Sequence, residues 1–98
     1  MSVKQPVDYR RLPLELFTVK DLTDAIGVAR SAEILKTSDR AIYTVRNTNT
    51  LSEDRALQLI REIKTDEDAF RTRLVIKRNL QKARADAKIA RAETAAQV

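Results

Sequence analysis

Neither cysteine nor histidine occurs among the 98 residues. The first absence excludes a disulfide framework and thiolate metal sites. The second removes the other usual zinc ligand and the commonest general base. Tryptophan is missing too, and the only aromatics are Tyr9, Phe17, Tyr43 and Phe70, so a core must be built mostly from Leu, Ile, Val and Ala. One glycine and two prolines are too few for the many turns of an all-β fold. No apolar run approaches a membrane span, and residues 1–13 lack the apolar centre of a signal peptide. There is no glycine-rich phosphate loop, and Asp21, Asp24, Asp66 and Asp68 read as acids at helix starts rather than as a catalytic pair. These absences predict a non-enzymatic cytoplasmic protein with no cofactor, no metal site and no membrane partner.

What is present is charge, unevenly placed. Residues 1–69 hold 11 of the 19 basic and 12 of the 14 acidic residues, a net −1. Residues 70–98 hold eight basic residues against Asp86 and Glu93, a net +6. Such asymmetry fits a polyanionic partner or an acidic protein surface, and also a solvated helix that uses Lys and Arg for solubility.

The apolar pattern divides the chain into three. Residues 1–16, broken by Pro6 and Pro13 and carrying Arg10 and Arg11, show no helical period. They read as an extended arm, or as a terminus that tucks Leu12, Leu14 or Leu16 onto the rest. Residues 17–64 read as a bundle. Thr18 and Asp21 are spaced as a capping box, and Phe17 and Leu22 as a hydrophobic staple. Leu22, Ala25 and Ile26 make a buried face, and Gly27 ends the helix by taking positive φ. Ser52 caps a further helix with Ala56, Leu59, Ile60 and Ile63 as its stripe and Leu57 at the edge. Residues 65–98 repeat the start signal at Thr65 and then contain no glycine or proline, which predicts a helix of about 25–30 residues. Phe70 and Leu74 should pack on the bundle. Ile76, Leu80, Ala83, Ala87 and Ala90 then alternate spacings of four and three, a thin heptad seam suited to a homodimer. Fraying after Leu80 is the other reading of this stretch.

Residues 28–47 are the most informative. They read as two short helices, 29–35 and 38–47, joined at Lys36 and Thr37. Ala32 sits where the two must cross closely, and Leu35 closes the first helix with an apolar contact. Ile42 and Val45 share the buried face of the second, while Arg40, Tyr43, Thr44 and Asn47 fall at i, i+3, i+4 and i+7 on the opposite face. In these residues and their spacing, over roughly residues 18–63, the chain resembles the Cro/phage-repressor class of helix-turn-helix proteins. Where that class most often has glycine at the turn, this chain has Lys36.

The resemblance implies an all-α bundle of four to five helices, a phage or prophage origin in a bacterial or phage-infected cytoplasm, and a repressor role. It also implies double-stranded DNA as partner, bound as a homodimer on a two-fold operator. The helix 38–47 would enter the major groove. Arg40 suits guanine and Asn47 adenine, and Tyr43 and Thr44 a thymine methyl or a phosphate. Ser38 or Thr37 caps this helix. Asp39 either steadies its N-terminus or accepts from cytosine, and Arg30, Lys36 and Arg46 are phosphate candidates. A helical protein-interaction module with a basic tail, and a nonspecific nucleic-acid-binding protein, are the alternative functions.

Overall fold

The computed structural model describes residues 7–96, with side chains described up to residue 89. A turn of 3-10 helix at Leu14–Leu16 precedes α1 (Val19–Ile26), α2 (Val28–Leu35), α3 (Asp39–Thr48), α4 (Glu53–Lys64) and α5 (Glu67–Ala96). There is no strand among the described residues, so the fold is all-α, a small bundle of five helices with a long last one.

The centre of the bundle is α1. Its capping box is formed: Thr18 Oγ1 accepts from the Asp21 amide at 3.1 Å, and Asp21 Oδ2 accepts from the Thr18 amide at 3.0 Å. Val19 and every residue from Asp21 to Ile26 are buried, and α1 touches α2, α3, α4 and α5. Phe17 and Leu22 both enter the core, as the staple spacing predicts. Gly27 ends α1 at φ +99° and starts α2 in the same step. Its carbonyl accepts from the Ser31 hydroxyl at 2.7 Å.

The remaining core comes from Ala32 and Leu35 of α2, Ile42 of α3, Leu59, Ile60 and Ile63 of α4, and Leu74 of α5. Each of the large residues contributes roughly 1.5–3 kcal/mol by leaving water. Ser52 caps α4, its Oγ accepting from the Arg55 amide at 3.4 Å. Leu57 lies at the rim, 41% exposed.

Two local expectations are corrected. Thr65 does not cap α5; it is the last residue of α4's final turn, and its hydroxyl donates to the Glu62 carbonyl at 2.6 Å. The short connection 65–66 leaves that hydroxyl beside the carbonyls of α4 rather than the amides of α5. Nor are residues 7–16 an extended arm. Leu14 is buried, and Tyr9 meets Phe17 edge-on with centroids 6.1 Å apart. Arg71 of α5 donates to the carbonyls of Tyr9 and Leu12, both at 2.7 Å, and lies over the Phe17 ring. The tucked reading is the right one here, with Leu14 as the anchor and Leu16 left 65% exposed. Residues 1–6 of the proposed arm lie outside the described residues. The packed unit therefore runs past 17–64 on both sides.

Candidate nucleic-acid interface

The α2–α3 turn is built from backbone hydrogen bonds. The Thr37 amide donates to the Ala32 carbonyl at 2.9 Å and the Lys36 amide to the Glu33 carbonyl at 3.2 Å. This pair defines a Schellman ending, which requires a left-handed residue between the helix and Thr37. Lys36 supplies it at φ +53°, ψ +50°. Ser38, not Thr37, caps α3: its Oγ accepts from the Ala41 amide at 3.1 Å. Asp39 follows in the first turn, where a carboxylate suits the positive end of the helix. Lys36, Ser38 and Asp39 are all exposed.

The third helix is buried at one residue only, Ile42, which is 1% exposed; Ala41, Val45 and Arg46 are half-buried. Arg40, Tyr43, Thr44 and Asn47 all face solvent, Tyr43 with 54% of its surface exposed. The Thr44 hydroxyl donates back to the Arg40 carbonyl at 3.1 Å, which leaves its lone pairs and methyl outward. Among the described residues Arg40 and Lys36 have no ion-pair partner. The exposed side of α3 is therefore a rigid row of a guanidinium, a phenol, a hydroxyl and an amide.

Arg46 must be removed from the phosphate candidates. Its guanidinium turns inward, donating to Thr23 Oγ1 at 2.9 Å and to Asp24 Oδ1. Asp24 has no exposed side chain. It also receives Arg78 Nη1 at 2.5 Å and Lys77 Nζ at 3.1 Å, both from α5. Arg78 Nη2 reaches Asp21 Oδ1 at 2.6 Å, and its plane lies over the Tyr9 ring. Burial alone would raise the Asp24 pKa. The hydrogen bonds from Arg46, Arg78 and Lys77 outweigh it and hold the carboxyl at about 2. Burial likewise works against the Arg78 cation, but its bonds to Asp24, Asp21 and Tyr9 leave its pKa raised.

Asp24 is thus no helix-start acid, and this corrects the sequence reading of it. It stands in the C-terminal half of α1, where the helix dipole disfavours a carboxylate. That misplacement was the signal for a compensating cluster of cations, and it went unused. Asn49 was missed as well. Read as part of a polar loop, it ends α3 at φ +52°, and its Oδ1 accepts from the Val19 amide at 3.0 Å. One side chain so joins the end of α3 to the start of α1.

Arg30 is also held within the protein, by Glu33 at 3.0 Å and Glu62 at 3.3 Å, and those bonds raise its pKa. Of the predicted contacts, Ser38, Asp39, Arg40, Tyr43, Thr44, Asn47 and Lys36 are brought to one exposed region of the turn and α3; Arg30 and Arg46 are engaged elsewhere. On α5, Ile76 and Leu80 are each 53% exposed, and Ala83 and Ala87 are exposed. The side chain of Ala90 lies outside the described residues. Among the described residues no group of three metal-ligating side chains is found. None of their helices is long and apolar enough to cross a membrane. No family model, no curated protein and no solved structure matches the chain.

Proposed function

We propose that this chain is a sequence-specific DNA-binding regulator of the Cro/phage-repressor kind, reading the major groove of double-stranded DNA with α3. The observation that carries the reading is the division of α3. A single fully buried residue, Ile42, and the inward Arg46 hold it to the bundle, while Arg40, Tyr43, Thr44 and Asn47 stand on the open side. A helix fixed from behind and rich in hydrogen-bonding groups in front is what base-edge recognition requires. Arg40 is assigned to guanine, Asn47 to adenine, and Tyr43 and Thr44 to a thymine methyl or phosphate. Lys36 and the Ser38 end of the helix contact the backbone. Asp39 steadies that helix end.

Selection of binding sites from random duplex DNA, followed by footprinting, tests the reading. A specific site should emerge, and Arg40→Ala should weaken it by about 1–3 kcal/mol while relaxing discrimination at one base pair. The variant should keep the parent's melting temperature, because Arg40 is exposed. If Arg40→Ala binds the selected site and random DNA as the parent does, α3 is not the reading helix.

A further inference from the structure

The first turns of α5 lie against the bundle through Arg71, Leu74 and Arg78. At about 100° per residue, Ala69, Ile76, Leu80, Ala83 and Ala87 form one stripe on roughly the opposite side of the same helix. All five are exposed, and the N-terminal end of the stripe opens into a shallow depression lined by Asp68, Ala69, Thr72, Arg73 and Ile76. Ile89, though 58% exposed, lies off the stripe.

The two flanks of the stripe differ in charge. Lys77 and Arg84 stand on one side; Thr72, Asn79 and Asp86 stand on the other. In a two-stranded coil, antiparallel helices bring like flanks together and parallel helices bring unlike flanks together. Antiparallel pairing would set Lys77 and Arg84 against the same cations of a second chain. Parallel pairing sets them against the neutral and acidic flank. The net +6 of residues 70–98 overstates the repulsion between two such helices. Arg71 is bonded to Glu67, and Lys77 and Arg78 to Asp24 and Asp21, within one chain.

We infer that the α5 stripe pairs with the same stripe of a second copy of this chain, parallel and in register. The two bundles then lie on the outer sides of the coil. Arg73 falls in the seam, but its guanidinium stacks 5.3 Å from the Phe70 ring of its own chain, so close contact begins at Ile76. The inference does not rest on DNA binding, and its test contains no DNA.

Sedimentation equilibrium of the full chain should give a reversible dimer at micromolar concentration. Leu80→Glu should raise the dissociation constant on the order of a hundredfold or more, because the change is made twice per dimer. It should leave the helix content by circular dichroism unchanged, since Leu80 touches no core residue. The chain has no cysteine of its own, so orientation can be read by oxidation. A single Ala87→Cys should cross-link to its own copy. In a mixture with Ala69→Cys, each variant should cross-link to itself and not to the other. A monomeric parent, an unchanged Leu80→Glu dimer, or preferred linkage between positions 69 and 87 would each overturn the inference. So would a monomeric parent that sediments with vesicles of anionic phospholipid, which would make the stripe a surface-binding face.

Discussion

Lys36 shows how one residue can be right in position and costly in type. The Schellman ending of α2 needs a left-handed residue there, and a side chain with a Cβ costs about 1–2 kcal/mol in that conformation. Glycine removes the strain but adds freedom to the unfolded chain, which returns part of the gain. Lys36→Gly should therefore stabilise the protein by about 0.5–1 kcal/mol, seen as a higher urea midpoint with unchanged slope. A lower midpoint would mean that Lys36 is not left-handed in solution. Such positions were only half legible in the sequence. The location of the turn followed from Leu35 and Ser38, and Gly27 announced its own positive φ. At Asn49 the same conformation was hidden, because Asn is common in loops for several reasons. The direction of Arg46 was not legible at all. Whether a guanidinium on a helix edge turns out or in depends on Asp24, which is 22 residues away in the chain.

Among the elements, the legible ones were those whose ends carry chemistry. The Thr18–Asp21 box, Gly27, Ser38 and Ser52 mark helix ends through hydrogen bonds local in sequence, so residues alone placed them. Residues 7–16 lack such signals, because the bonds that fold them come from Arg71, about sixty residues on. The α2–α3 crossing was read from a small residue, Ala32, which is 4% exposed. Ala32→Leu should force those helices apart and cost roughly 1–3 kcal/mol, though residue 32 lies in none of the proposed contacts. Thermal melting measures it. A parent-like midpoint would mean that the crossing has room for three more carbons.

Taken whole, the molecule is joined by one carboxylate. Asp24 on α1 holds Arg46 of α3 and both Lys77 and Arg78 of α5, while Arg78 also covers Tyr9. The proposed reading helix and the proposed pairing helix so share a single buried anchor. Its folded pKa of about 2 lies below its ordinary 3.8. A depressed carboxyl gives stability that is fully present above the unfolded value and is lost as pH falls from about 4 through about 2. A difference of nearly two units corresponds to about 2 kcal/mol. Protonation would remove the charge facing three cations at once, and repulsion among them would then loosen α3 and α5 together. The Asp24 carboxyl carbon, followed by NMR from pH 6 to pH 1.5, should titrate near 2, and urea stability should fall over the same window. A midpoint at the ordinary aspartate value would mean that the cluster does not hold in solution and that α3 is positioned by Ile42 and Asn49 alone.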